Sequence, residues 1–272
     1  MKPDEERILI FGASGHIGGP LARFIAYQGY GAALRLATSD ETKLQRLRDD
    51  FPKSECISVS YLDRAGMARA LEGVDRVFVV TPDFLDEKTA MANLVHAAQK
   101  GGRVKQIVRI VGDPPGMRLD KISPALRAFG RGTAIQHLQA REVLDASELP
   151  VTYLNIAAYL MDDFLRWSGP IRSRRIFLMP FDRVATWIDP GELGEAAARI
   201  LLSRDDRHLH RHYDLNNGSD LVTFGEVAGI ISDVLQEPVK HEASPKVWRE
   251  LMGERYRALY GAGADDYFLE YY

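Results

Sequence analysis

A single cysteine, Cys56, excludes an internal disulfide framework. The chain must be held by a packed core rather than by cross-links, and a cytoplasmic location is the simplest expectation. Long apolar runs are missing too. Stretches such as "VFVVTP" fall far short of the roughly 20 residues needed to span a bilayer. Nor is there an excess of positive charge: 35 Lys and Arg stand against 38 Asp and Glu, a net charge of −3. Neither nucleic acid nor a membrane surface is therefore an expected partner. The opening "MKPDEER" is charged and has no apolar segment of a signal peptide. Repeats and low-complexity segments are absent. What is present is 272 residues, 46% of them hydrophobic, enough for one large core or a core with a small satellite.

Strand and helix patterns alternate along the first half. Arg7 to Phe11 reads as a buried strand, and Ile17 to Gln28 as a helix with Ile17, Leu21, Phe24 and Ile25 on one face. Ala32 to Ala37, Cys56 to Ser60, Val77 to Val80, Gln106 to Val111 and Val151 to Ile156 read as further strands. Helices are predicted between them, over 40–48, from the N-cap Asp63 to Gly73, over 89–100 and over 133–147. The "DPPGM" segment breaks the chain after the fifth strand. Strands separated by helices imply an α/β fold, a doubly wound parallel sheet with helices on both faces. After Ile156 the alternation becomes irregular. Residues 1–156 are therefore expected to form the sheet domain, and 157–272 a smaller, partly interleaved region.

The stretch "GASGHIG" sits where the first strand passes into the first helix. Gly12 permits a tight exit from the strand. Gly15 lets the main chain approach a pyrophosphate, and Gly18 lets the helix pack closely. The helix N-terminus offers free N–H groups and the positive end of its dipole to phosphates. Ser14, His16 and Ile17 complete this candidate dinucleotide-binding loop of a Rossmann fold. A purely structural turn is the alternative.

These residues resemble the glycine motif of the NmrA-like group of atypical short-chain dehydrogenases. That group includes quinone reductases, isoflavone-reductase-like enzymes and redox-sensing regulators. The resemblance continues through "MARALEGVDRVFVVTP", "QIVRIVG", "VLDASELPVTYLNIAAYLMDDFL", "VATWIDPGELGEAAARIL" and "YDLNNGSDLVTFGEVAGIISDVL". It implies an NAD(P)-binding sheet domain and a smaller C-terminal α/β part over the substrate.

No acid precedes Asp40 at the end of the second strand, where NAD-preferring enzymes usually bind the ribose hydroxyls. Thr38, Ser39 and the nearby cations Arg35 and Lys43 favour NADP, with NAD as the alternative. Arg35 pointing across the sheet and Lys43 as a solvated helix residue are the competing readings. Thr81, Pro82 and Val111 end the fourth and fifth strands, where the dinucleotide is expected to cross. Tyr61 stands where the family often has an acid near the adenine, and either borders the adenine or packs.

The catalytic Tyr-x-x-x-Lys pair of ordinary short-chain dehydrogenases is missing from the expected helix, and the fifth strand does not end in serine. In place of that pair stands His137, where related reductases carry a lysine or histidine. A histidine of ordinary pKa there would act as general acid to a carbonyl or quinone oxygen; a packing histidine is the alternative. Tyr159, Asp162 and Asp163 are candidate substrate-pocket residues. His208, His210 and His212 alternate as in some metal sites, but no carboxylate pair or cysteine motif accompanies them, so no metal is expected. The aromatic tail, with Tyr256, Tyr260, Tyr267 and Phe268, is expected to pack the smaller part, and a few of its rings to line a pocket. The resulting expectation is an NADP-dependent oxidoreductase acting on a quinone, enone or related planar small molecule, as a monomer or homodimer. A dinucleotide-binding redox-sensing regulator without turnover, and a lyase or isomerase on the same fold, are the alternatives.

Overall fold

The computed structural model describes residues 6–114 and 116–272; residues 1–5 of the charged opening stretch and Pro115 of "DPPGM" lie outside the described residues. The strands, in chain order, are β1 (Ile8–Phe11), β2 (Leu34–Thr38), β3 (Glu55–Ser58), β4 (Arg76–Val79), β5 (Gln106–Val111), β6 (Val151–Ile156), β7 (Tyr159–Leu160), β8 (Ile176–Leu178), β9 (Val184–Ile188), β10 (His212–Leu215), β11 (Leu221–Thr223) and β12 (Lys240–Glu242). The helices are α1 (Gly18–Ile25), α2 (Leu44–Asp50), α3 (Arg64–Ala70), α4 (Glu87–Gly101), α5 (Pro124–Phe129), α6 (Thr133–Asp145), α7 (Asp163–Arg174), α8 (Pro190–Leu202), α9 (Phe224–Leu235), α10 (Pro245–Tyr260) and α11 (Ala264–Tyr271).

Among the described residues seven strands form one parallel sheet in the order β10-β6-β5-β4-β1-β2-β3. Every residue of β1, β4 and β5 is buried. That is why these strands read as largely apolar runs rather than as alternating ones, with helices covering both faces. One face packs α1 and α8 on Ile8, Ile10, Phe78, Val108 and Ile110. The other packs α3, α4 and α6 on Leu9, Val77, Ile107 and Val111. The order reverses between β1 and β4, and a doubly wound sheet binds ligands at such a crevice beyond its strand ends. No described helix is long and apolar enough to cross a membrane.

Two elements beyond Ile156 return to this sheet. β10 pairs with β6, and α8 lies against α1 so closely that a Cβ on Gly194 would stand 2.9 Å from the Leu21 nitrogen. The remaining later elements build a smaller lobe. Its core holds Trp167, Phe177, Trp187 and Phe224, and a second cluster joins Trp248 and Tyr256 to Tyr260 and Phe268. Tyr61 packs: it is buried, its ring lies 4.6 Å from that of Phe11, and its hydroxyl donates to the Val80 carbonyl at 3.1 Å.

A buried polar knot interrupts the apolar core where β4 and β5 end. Arg109 alternates with Ile107 and Val111 and so faces the α4 and α6 layer. Its Nη2 donates to Glu87 Oε1 at 2.9 Å and to the Thr81 hydroxyl at 2.8 Å, with the Arg109 and Glu87 side chains fully buried. Gln136 on α6 donates to Glu87 Oε1 at 3.2 Å and to the Pro82 carbonyl at 3.1 Å, and accepts from the Phe84 N–H at 2.7 Å. These hydrogen bonds join β5, α4 and α6 to the segment that follows β4. Leaving one buried charge without its partner costs about 3–5 kcal/mol, whereas replacing both by apolar groups is often close to neutral. Glu87→Gln should therefore lose about 3–5 kcal/mol in urea denaturation, and the double variant Arg109→Met with Glu87→Leu much less. A near-neutral Glu87→Gln would show that the pair does not hold this end of the sheet.

Candidate active site

The loop between β1 and α1 is shaped by backbone constraints. Gly12 has φ +66°, and a Cβ there would stand 2.6 Å from Val80 Cγ1. At Gly18 a Cβ would meet the Gly12 carbonyl oxygen at 2.3 Å, so this glycine closes the loop on itself. Gly15 differs: its added Cβ would meet only that same oxygen, at 3.1 Å. One side of Gly15 is thus open for a ligand, as a phosphate cradle requires. The α1 N-terminus has no side-chain cap and no acid in its first turn, which leaves its amides and dipole to an anion. The Ser14 hydroxyl lies 3.0 Å from the Thr38 hydroxyl, and the Ala13 N–H donates to the Ala37 carbonyl at 3.1 Å. The loop is thereby pinned to the end of β2. Ile17 turns its side chain into the core, so only its backbone remains on the ligand side.

The expectation for Arg35 is corrected. It lies near the start of β2, away from the ligand end, and is buried. Its Nε donates to Glu55 at 2.9 Å, and its Nη1 to the carbonyls of Ala70 and Glu72 at 2.7 and 2.8 Å. With these groups engaged at the far end, it does not reach a 2′-phosphate. Thr38 is also buried, and its oxygen is shared between Ser14 and the Asp40 backbone. Ser39 is exposed. Lys43 is exposed, 3.4 Å from Asp40, whose carboxyl the Thr42 hydroxyl holds below its usual range. Of the group read for the 2′-phosphate, Ser39 and Lys43 remain at the strand end with open side chains.

Beyond β4, the Thr81 hydroxyl is held by Arg109 and Glu87, and Pro82 follows it at the surface. Val111 ends β5 with its side chain in the core. His137 occupies the second turn of α6 and is half-buried. Its Nδ1 accepts the Gly112 N–H at 2.7 Å. That bond assigns the proton to Nε2, which has no hydrogen-bond partner among the described residues. Burial, with the Arg109 charge adding to it, lowers the His137 pKa to about 3. The expected general acid of ordinary pKa is thus corrected to a neutral imidazole whose Nε2–H is an unengaged donor among the described residues.

Asp113, next in the chain, carried no sequence signal beyond its place in "DPPGM". It is buried, and Asn155 on β6 clamps its backbone from both sides, accepting its N–H at 2.8 Å and donating to its carbonyl at 2.9 Å. Neither carboxylate oxygen has a hydrogen-bond partner among the described residues, and Arg141 Nη1 stands 3.9 Å away.

The smaller lobe meets the glycine loop directly. His16 Nδ1 lies 2.6 Å from Asp162 Oδ2 just before α7, so two residues read separately form one clasp. Asp163 pairs with Arg166 at 3.3 Å, and burial raises its carboxyl. Tyr159 is mainly a packing residue: it contacts Trp167, Trp187 and Phe224, and its hydroxyl bonds Arg183. The three spaced histidines serve local contacts. His208 meets the Tyr213 hydroxyl at 2.9 Å and His212 meets Asp214 at 3.1 Å, while His210 adopts φ +54°.

Two of these shifts oppose each other with pH. Burial pushes Asp113 from 3.8 up to about 6, so its penalty is absent below 3.8 and complete above about 6. The His137 shift runs the other way, with stability lost as pH falls from 6.5 toward about 3. Removing one group exposes the other. Asp113→Asn should be more stable than the parent at neutral pH, by on the order of 1–3 kcal/mol, and no more stable at about pH 3.5. Parallel urea melts at the two pH values check this; a pH-independent difference would contradict it.

Comparisons with known proteins show which proteins this chain resembles. The chain is 27% identical over 237 residues to an NAD(P)H azoreductase of Xenophilus azovorans, covering 87% of this chain and 76% of that protein. It is 28% identical over 241 residues to the (4-alkanoyl-5-oxo-2,5-dihydrofuran-3-yl)methyl phosphate reductase of Streptomyces griseus, covering 86% and 76%. Its fold matches the Citrobacter sp. triphenylmethane reductase solved with NADP(H) at a TM-score of 0.78 and 21% identity, over 97% of this chain and 89% of that one. The profile of the NmrA-like family matches residues 4–259, nearly the whole chain, and the protein belongs to the NmrA-like family.

Proposed function

We propose that this protein is an NADPH-dependent reductase that transfers a hydride to a quinone, an enone or a related planar carbonyl compound. The observation that carries the reading is a phosphate cradle and a neutral hydrogen-bond donor at the same end of one sheet. Gly15 leaves room beside the uncapped α1 N-terminus, and His137 presents Nε2–H beyond β5. The names of the azoreductase and the phosphate reductase support a reductase reading.

NADPH, when bound, would supply the hydride that reduces the acceptor and so become NADP+. The protein's part is to hold the dinucleotide on the Gly12–Gly18 loop and to meet the negative charge that develops on the acceptor oxygen. The neutral His137 donates a hydrogen bond to that oxygen without losing its proton, and water supplies the proton that completes the product. Gly112 fixes the ring in this role through its N–H. The depressed His137 also favours a second reading, a dinucleotide-binding redox sensor without turnover, because the imidazole is not a strong acid. NADPH consumption with menadione as the acceptor separates the two.

Three outcomes follow from the residues. NADPH should bind more tightly than NADH in a fluorescence titration, and Lys43→Ala should shrink that preference about fivefold, the equivalent of ~1 kcal/mol from an exposed charge-assisted contact. Arg35→Met should leave the preference unchanged; a loss there would restore Arg35 to the nucleotide site. Gly15→Val should abolish NADPH binding with the far-UV spectrum intact, and normal binding would refute the cradle. His137→Phe should lower turnover about 10²-fold, the scale of a lost oxyanion donor, with NADPH affinity retained. Full turnover would reduce His137 to packing.

A further inference from the structure

Helix α11 (Ala264–Tyr271) lies beyond residue 259, where the family match ends. It is nonetheless firmly placed. Asp265 is buried and pairs with Arg257, and Arg249 reaches Asp266 at 2.7 Å. On its inner side Tyr267 is buried and accepts the Ala134 N–H at 3.1 Å. Ala134 opens the same helix that carries His137 one turn later. The fit is close: a Cβ on Gly132 would stand 2.5 Å from the Tyr267 hydroxyl. Phe129 stacks on the Tyr267 ring at 4.8 Å, and Phe84 meets it edge-on at 6.1 Å. Phe84 itself sits at φ +64°, a conformation of real cost for a bulky residue, held by the Gln136 bond to its N–H.

One turn after Tyr267, the Tyr271 ring lies parallel to it, at 6.0 Å and 5°. Its phenol falls within the electrostatic reach of Asp83 after β4, Tyr159 on β7 and Asp163 at the start of α7. Asp83 follows a strand of the main sheet, whereas Tyr159 and Asp163 belong to the smaller lobe. Tyr271 is half-buried, and among the described residues its hydroxyl makes no hydrogen bond. Of the neighbouring tyrosine hydroxyls, Tyr159 is engaged by Arg183 and Tyr267 by Ala134, whereas that of Tyr260, which stacks on Phe84, is also without a hydrogen bond among the described residues.

We propose that α11 forms the substrate-side wall of the site and that the Tyr271 hydroxyl donates a hydrogen bond to an oxygen of a planar, quinone-type acceptor, making Tyr271 a specificity-determining residue. This rests on the reductase reading for its substrate class. Tyr271 selects and holds; it does not transfer a proton. Burial and the neighbouring phenols and carboxylates raise its pKa, which keeps the phenol neutral and a donor across the working pH range. The half-buried Tyr271 ring, backed by the buried Tyr267, offers the flat apolar surface that such an acceptor needs.

The test measures binding without turnover. Menadione is titrated into the protein saturated with NADP+, which has no hydride to give. Tyr271→Phe should weaken menadione binding about tenfold, the loss of one hydrogen bond of ~1.4 kcal/mol. NADP+ affinity and melting temperature should not change, because the ring and its stack on Tyr267 remain. Tyr271→Leu, which removes the ring as well, should weaken binding further. No menadione binding by the parent protein, an unchanged dissociation constant in Tyr271→Phe, or an equal loss of NADP+ affinity would each overturn the proposal. Menadione binding with the Tyr271 effect, but no NADPH oxidation by the parent, would overturn the reductase reading and leave the Tyr271 site standing.

Discussion

The buried ion pair of Arg109 and Glu87 decides the geometry of the ligand end of this molecule. Two charges have been placed in a core that excludes water, and they reach each other, Thr81 and Gln136 only if β4, β5, α4 and α6 keep their relative positions, while Glu87 Oε2 and Arg109 Nε and Nη1 make no hydrogen bond among the described residues. Thr81 and Gln136 complete the set, and through Gln136 the pair reaches the strained Phe84 and so the α11 wall. The Arg109 charge acts on His137 as well, helping to keep the imidazole neutral. A pair of this kind adds little net stability over apolar residues, but it penalises every arrangement that separates its partners.

Around that fixed end the two lobes are tied by short polar contacts beside the aromatic packing of Phe84 and Phe129 on α11. His16 and Asp162 clasp the phosphate loop to the start of α7, and Tyr267 joins α11 to the first turn of α6. The clasp places a carboxylate from the smaller lobe beside the glycine loop, and it couples the position of the lobe to that of the loop. The return of α8 and β10 to the main sheet reinforces this coupling, since the smaller lobe cannot move without straining the chain on both sides of it.

The parts of this arrangement that local backbone chemistry dictates were legible in the sequence. β5 and β6 fall on the expected residues because both strands are buried runs bounded by breakers, and Gly12 and Gly18 announce a turn that no side chain tolerates. Asp63 caps α3 as its position suggests, its carboxylate accepting the Ala65 N–H. Where a side chain points within a strand was not legible: Arg35 sits close to the ligand end in sequence, yet its partners Glu55, Ala70 and Glu72 come from distant segments. His137 was found by position, but its protonation state depends on Gly112 and Arg109, which no local pattern links to it. Asp113, Gln136 and Tyr271 gave no signal of their own, because each gains its meaning only from a partner 20 or more residues away.

The central claim, hydride transfer from a dinucleotide held on the Gly12–Gly18 loop, is tested most directly by a single turnover. The protein is loaded with NADPH deuterated at the transferred position of C4 and mixed rapidly with menadione. The account predicts oxidation of one NADPH per menadione reduced, slowed by a primary isotope effect relative to unlabelled NADPH. Tight NADPH binding with oxidation no faster than the protein-free background would contradict it.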